Sequence, residues 1–164
     1  MRLVIDYRLT GHGWSECTVT SGEASCQISA SYLSDALGNL VRAAVVLLSG
    51  FSALSFSFEE EPGEYRWVIR SPRFNEIDVR ILGFDDLYNG RPNEEGRELF
   101  SVRCVPETFA IAVYEAATRV LRDEGESGYV EKWGDHAFPK QQLEERSEEH
   151  TSELQSQFRI SYAV

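Results

Sequence analysis

The chain has 164 residues, of which 42% are apolar and 26% are charged, and its formal net charge is −11. This composition is typical of a folded globular domain and excludes a disordered or fibrous chain. So much negative charge disfavours contact with phosphate backbones and anionic membrane surfaces, so neither a nucleic acid nor a membrane is an expected partner. A basic protein partner fits the charge, although acidity also serves solubility alone.

In the first part of the chain, apolar and polar side chains alternate, and the spacing of the apolar residues then becomes helical. Residues 2–31 alternate apolar and polar side chains in three runs separated by glycine-containing turns, which predicts three half-buried strands. From Leu33 to Leu48 apolar residues recur at spacings of three and four, which predicts an amphipathic helix. We expect Ser31 or Ser34 to cap its start and Gly50 to end it.

Four more alternating runs follow between residues 54 and 104, and Trp67 falls on the inward side of the second of them. Pro106 then marks the start of a second amphipathic helix and Gly125 its end. The sequence therefore predicts an α+β fold in the order βββαββββα. We expect one antiparallel sheet of about seven strands, with both helices on one face and water on the other.

The predicted water-facing side of the sheet carries alternating charges and one aromatic residue at its margin: Asp6, Arg8, Glu16, Arg66, Arg70, Asp78, Arg80, Arg103 and Trp14. Such residues usually form cross-strand pairs that hold the register of a sheet. Arginine and tryptophan are also frequent anchors of protein interfaces. Both interpretations stay open at this point.

Residues 84–96 form a long connection between the sixth and seventh strands, and long loops in compact domains are often functional. The loop does not match a calcium-binding EF-hand, because Leu87 and Gly96 occupy two ligand positions. It is either a solvated acidic loop or a binding loop for a basic partner. The candidate binding residues are Asp85, Asp86, Tyr88, Glu94 and Glu95.

No motif for nucleotide binding, metal binding or nucleophilic catalysis occurs, so we expect no catalytic residue, no cofactor and no metal. Cys26 and Cys104 fall on inward strand faces, where inert core thiols are expected. The aromatic residues of 129–139 are expected to pin the end of the domain to the core. Without a signal peptide, a membrane-spanning run or a CxxC pair, a cytoplasmic location is expected.

The end of the chain is different in kind. Residues 146–156 match the in-frame translation of a sequencing-library adapter, and residues 160–164 match its next block at the right spacing. We therefore interpret 146–164 as an artefactual tail that is expected to be unpacked, and 1–145 as a single α+β domain.

Six short segments are similar to a family of small uncharacterised bacterial proteins, over about residues 1–145. They are Thr10-Gly11, Gly13-Trp14, Ala30 to Leu37, Glu60 to Trp67, Phe84 to Leu87 and Glu131 to Trp133. The resemblance implies a bacterial source and brings no activity with it.

Two classes of function remain. The favoured hypothesis is a non-enzymatic protein-binding domain, in its narrower form an immunity-type inhibitor of a toxin, since the chain is small, acidic and without catalytic motifs. The alternative is an enzyme whose dispersed acid/base site combines carboxylates of the 84–96 loop with His136. A scaffold subunit is a third possibility, and the oligomeric state is left open. An enzyme requires a concave site with convergent polar groups, whereas a binding protein can use a flat surface.

Overall fold

The computed structural model describes residues 2–87, 90–134 and 136–144. Their elements follow the predicted order βββαββββα, and the α+β class is confirmed. The elements are β1 (Leu3–Gly11), β2 (Trp14–Ser21), β3 (Ala24–Ser31), α1 (Ala36–Leu48), β4 (Ala53–Glu59), β5 (Glu64–Arg73), β6 (Glu76–Phe84), β7 (Arg97–Cys104) and α2 (Pro106–Trp133).

All the strands pair antiparallel with their sequence neighbours, but they divide into two sheets instead of one. The first sheet has the order β1-β2-β3 and the second β4-β5-β6-β7. The chain passes from one sheet to the other through α1. At the end of β3, the Ser31 hydroxyl donates a hydrogen bond to the carbonyl oxygen of Glu59, at the end of β4 (3.0 Å). In turn, the Glu59 amide donates to the Ser34 hydroxyl (3.1 Å). These two serines therefore connect the sheets. The prediction that one of them caps the start of α1 is wrong, because no side chain caps that helix.

One hydrophobic core joins both sheets to both helices, and the strand faces are those that alternation predicts. Trp67 is fully buried in β5. Its ring stacks on Phe56 at 5.6 Å and meets Phe109 of α2 edge-on at 6.4 Å. Tyr7 of β1 contacts Phe58 of β4 edge-on at 6.4 Å. Aromatic contacts therefore connect each sheet to its neighbouring layer.

The helix that starts at Pro106 stops at Gly125, as the sequence predicts: Gly125 has a non-helical backbone with a φ of 69°, which glycine adopts without steric cost. A further helical segment, which the sequence did not predict, follows it as far as Trp133. Tyr129 and Trp133 are fully buried, and Phe138 packs edge-on against Tyr129 at 5.5 Å. The expectation that these aromatic residues pin the end of the domain to the core is confirmed.

No helix among the described residues is both long enough and apolar enough to cross a membrane. Glu145 and the predicted tail, 146–164, lie outside the described residues.

Candidate functional site

The 84–96 loop does not stand away from the domain. It folds across the outer face of the second sheet, where Arg66 of β5 holds it. The Arg66 guanidinium donates to the Arg91 carbonyl oxygen (2.7 Å) and to Asn93 Oδ1 (3.0 Å). It also pairs with Glu64 at 2.9 Å and lies 4.2 Å from the centre of the Phe84 ring. Only 13% of the Arg66 side chain is exposed, so its predicted place on a water-facing surface is wrong.

A small apolar cluster beneath this loop explains why it docks. Val68, Leu82 and Phe84 are buried on the outer face of the second sheet, apart from the main core. The pairing of β6 with β7 skips Leu99, so the bulge lies in β7 and β6 keeps its alternation. Ile77, Val79 and Ile81 therefore face the main core, whereas Leu82 and Phe84 face outward. The outer face is therefore partly covered, and not uniformly wet as predicted.

The candidate binding residues of the loop are mostly neutralised by arginines of the same segment. Asp86 pairs with Arg91 at 2.9 Å, and Glu95 pairs with the same guanidinium at 3.3 Å. Asp85 pairs with Arg97. Glu94 is exposed, and no ion pair of its side chain occurs within the described ranges. Tyr88 lies outside the described residues. The loop thus presents less uncompensated negative charge than its composition implies.

His136 lies elsewhere in the fold. Its Nε2 atom is 3.2 Å from the carbonyl oxygen of Tyr32, in the connection between β3 and α1. The described contacts do not bring it to the carboxylates of the 84–96 loop, with which the alternative hypothesis combines it. That hypothesis therefore has no described contact to support it.

The buried cysteines and tyrosines are poor candidates for catalysis. All three cysteines are buried and unpaired by disulfides. Burial raises the pKa of Cys104 to about 11 and that of Cys17 further, so both thiols are protonated at neutral pH and are weak nucleophiles. Burial also raises the pKa of Tyr7 and Tyr129, with a smaller contribution from nearby carboxylate and phenol groups. Neither ring ionises in the physiological range.

Metal binding has no visible basis in the described part of the chain, where no group of three or more His, Cys, Asp or Glu side chains converges. A broad concavity of about 390 Å³ lies between β1 and α2. Its charged groups already have partners: Arg8 pairs with Asp6 at 3.0 Å, and Arg122 with Asp123 at 3.1 Å. Arg119 donates to the carbonyl oxygen of Ile5. The lining thus carries three arginines and two carboxylates, and the charge of Arg119 is not neutralised because its partner is a neutral carbonyl oxygen.

The most unusual surface feature is the hairpin between β5 and β6, which sequence reasoning did not single out. Phe74 at its tip is 98% exposed, and Phe51, after α1, is 62% exposed. The tip is held by the Ser71 hydroxyl, which lies 2.8 Å from the Arg73 carbonyl oxygen and 2.9 Å from that of Glu76. An aromatic residue within the polar run 71–76 was the available signal, but only the structure shows that its ring packs on nothing.

A second unpartnered group lies beside this hairpin. Arg70 of β5 is exposed, and its side chain makes no hydrogen bond or ion pair within the described residues. Its cross-strand neighbour is Asp78, but Arg103 of β7 holds that carboxylate with two hydrogen bonds of 2.6 and 3.0 Å. The bound Arg103 also lowers the pKa of Asp78, in the direction expected for a paired carboxylate. The carboxylate opposite Arg70 is thus already held by Arg103, and Arg70 acts on it only through a weaker electrostatic effect.

Neither the models of known protein families, nor the curated proteins, nor the solved structures include a match to this chain. The family resemblance expected from the sequence stays a prediction, and the function has to be argued from the surface.

Proposed function

We propose that this chain is a non-enzymatic protein-binding domain. The observation that carries the proposal is the Phe74 ring, which is 98% exposed at the tip of an ordered hairpin. A large aromatic side chain in water gains no burial energy for the fold, whereas it is among the strongest anchors when a partner covers it.

The rigidity of the tip supports this assignment. The hydrogen bonds of Ser71 and the left-handed Asn75 (φ 57°) fix the turn, and Arg73 and Glu76 approach each other at 3.6 Å across it. A side chain presented on a fixed backbone loses little entropy when it binds. Phe51, 62% exposed, lines the same surface concavity as Phe74. Two exposed phenylalanines around one concavity make a small apolar patch of the kind that marks interaction sites.

The narrower proposal is an immunity-type inhibitor that uses the 84–96 loop to meet a basic toxin. The net charge of −11 supports it, because an acidic domain attracts a basic partner over long distances. The internal pairing of Asp85, Asp86 and Glu95 weakens it, because paired carboxylates attract less. A scaffold subunit would use the same exposed patch. The surface at Phe74 is therefore the better-supported contact, and the loop is the second candidate.

Site-specific photo-crosslinking in the cells that encode the chain tests the proposal. A benzophenone amino acid is placed at position 74, at position 94 in the loop, or at position 111 as a control. Ile111 is 42% exposed on α2 and belongs to neither surface. We expect one defined protein adduct at position 74 or 94 and none at position 111. The purified pair should then form a complex of fixed stoichiometry in sedimentation analysis.

Two results would contradict the proposal. The first is the absence of any protein adduct at both position 74 and position 94. The second is an adduct pattern that is the same at all three positions, which indicates random collisions. An adduct at 94 alone would keep the protein-binding function and move the contact to the loop.

A further inference from the structure

The first strand, β1, forms one edge of the first sheet, because β2 is its only neighbour in the order β1-β2-β3. No other strand among the described residues forms backbone hydrogen bonds with its free edge. Such an edge presents backbone N–H and C=O groups to any chain that approaches in an extended conformation. The edge of β1 is therefore a place where a further strand can be added.

A concavity of about 390 Å³ shows that this edge is open. It is lined by outward-facing residues of β1, namely Val4, Asp6 and Arg8, and by charged residues of α2. The helix packs on the other side of β1, against the buried face of the strand. A concavity lined both by the helix and by outward-facing residues of the strand must lie at the free edge between them.

One contact shows which backbone groups point to the edge. Arg119 of α2 donates a hydrogen bond to the carbonyl oxygen of Ile5, so this carbonyl points away from β2. Alternate residues of a strand direct their backbone groups to the same side, so Tyr7 and Leu9 present theirs at the edge as well. A carbonyl oxygen has two lone pairs, so Ile5 can accept from an added strand while Arg119 stays bound.

The side chains of β1 are self-complementary about Tyr7. When two copies of β1 run antiparallel with their Tyr7 residues opposite each other, Asp6 of each copy lies opposite Arg8 of the other. On the core side, the same register places Ile5 opposite Leu9, which is only partly buried within one copy. Opposite charges directly across a sheet stabilise it, and so do apolar pairs, whereas like charges destabilise it. The occupant that matches this edge is therefore a second copy of the same strand.

We propose that the chain forms a symmetric dimer in which β1 pairs antiparallel with β1 of a second copy and joins the two first sheets. Asp6 and Arg8 already pair at 3.0 Å within one chain, but 37% of the Asp6 side chain and 74% of the Arg8 side chain are exposed. In the dimer, the two exposed pairs form one cluster of alternating charges. The inference goes beyond the proposed function, because Phe74 lies in a hairpin of the second sheet.

Two general objections to such a dimer do not hold for this edge. The net charge of −11 opposes association at long range, but salt at physiological strength screens charges beyond about 8 Å. Paired strands lie about 4.8 Å apart, well inside that distance. Charged residues on an edge strand often prevent pairing, and like charges do so by repulsion. Asp6 and Arg8 differ in sign and mirror each other about Tyr7, so they favour self-pairing. An unrelated strand would gain the backbone hydrogen bonds but not this match of charges.

Sedimentation equilibrium of the purified full chain tests the proposal. A contact of one strand pair and its flanking side chains is small, so we expect a dissociation constant of about 1–100 µM. Asp6→Arg and Arg8→Asp should each weaken association at least tenfold, because each places like charges opposite each other twice in the symmetric contact. The double variant Asp6→Arg/Arg8→Asp restores opposite charges and should associate within about threefold of the original chain.

Arg80→Asp serves as the matched control. It reverses an exposed arginine that pairs with Glu98 at 2.7 Å on the second sheet, and it changes the net charge as much as Arg8→Asp does. This variant should associate as the original chain does, and melting followed by circular dichroism shows whether each variant folds. Hydrogen exchange gives a second measurement. The Tyr7 amide should exchange more slowly at high protein concentration in the original chain and in Arg80→Asp, but not in Arg8→Asp.

The inference is overturned if the original chain keeps the mass of one copy up to concentrations well above 100 µM. It is also overturned if the double variant associates as weakly as the folded single variants, since the register is then wrong. A dimer that Phe74→Ser dissociates and charge reversal on β1 does not would place the contact at the hairpin and overturn it too. Photo-crosslinking at positions 74 and 94 tests the protein-binding function separately, so that function can stand or fall without this dimer.

Discussion

Replacing Trp67 by alanine should lower the free energy of unfolding by about 3–5 kcal/mol, the range seen for large aromatic residues removed from cores. The ring is fully buried and lies within 6.4 Å of three phenylalanine rings, those of Phe56, Phe58 and Phe109. A buried aromatic side chain removes about 150–250 Å² from water, which at about 25 cal/mol per Å² corresponds to about 4–6 kcal/mol. Residual compactness of the unfolded chain reduces that figure, and the cavity left behind adds to it.

Urea unfolding followed by far-ultraviolet circular dichroism measures this difference without depending on tryptophan fluorescence. Two further substitutions serve as reference values for the cost of Trp67→Ala. Trp67→Phe keeps an aromatic ring in the cluster and should cost less than half as much as Trp67→Ala. Trp14→Ala removes a tryptophan that is 42% exposed at the start of β2 and should cost about 1 kcal/mol or less. If Trp67→Ala costs no more than Trp14→Ala, the inward face of β5 has been assigned to the wrong side.

Three further predictions concern pH, the end of the chain and the acidic loop. Stability should fall as pH rises above about 9, because burial raises the pKa of Cys104 from 9.0 to about 11 and that of Cys17 further, and the folded state resists the ionisation of both thiols. The stabilisation is complete below the pKa of the unfolded thiols, and each thiol loses about 1.4 kcal/mol of it per pH unit until the pH reaches its folded value, which is about 11 for Cys104. Cutting the chain after Glu145 should leave its melting temperature unchanged, if residues 146–164 are the adapter-derived tail that the sequence predicts, because such a tail is not selected to pack. Changing four loop carboxylates to amides should leave the fold intact, since surface ion pairs contribute about 0–1 kcal/mol each. It should also slow association with any partner that cross-links at position 94. The residues changed are Asp85, Asp86, Glu94 and Glu95.

Each of these has a clear contrary result. Cys104→Ala should lose less stability than the original chain over the same alkaline range, so an identical loss would assign the effect to other groups. A truncated chain that melts several degrees lower would mean that the tail packs on the domain. Unfolding of the loop variant would mean that its carboxylates are structural, and unchanged association at low salt would remove the loop from the interface.

The strand faces were predictable from the sequence because alternation is a local property. The side chains of β1, β5 and β7 point as the pattern indicates, and so does the buried stripe of α2. The predictions that were wrong concerned contacts between distant segments. Ser31 and Ser34 are ordinary capping residues by composition, but β4 lies close enough to take their hydrogen bonds. The division into two sheets likewise depends on how the chain crosses α1, and turn lengths do not encode it.

The candidate site was less predictable for the same reason. The sequence identified Arg66, Arg70 and Asp78 as charged residues on one face, but it could not say which arginine would obtain which carboxylate. Arg103 reaches Asp78 from the neighbouring strand, and the docked loop covers Arg66. Arg70 therefore forms no ion pair with a described residue, although it faces Asp78 across the strands. The exposure of Phe74 is similar, since nothing in a turn sequence determines whether another segment packs over it.

Net charge and local charge therefore predict different partners for this chain. The excess of acidic residues suggests a basic partner, and it shaped the expectation for the 84–96 loop. Within the folded domain, three of the four carboxylates in that loop are paired, whereas Arg70 on the outer face of β5 forms no ion pair with a described residue. Long-range attraction depends on the total charge, but a short-range contact depends on the groups left without partners.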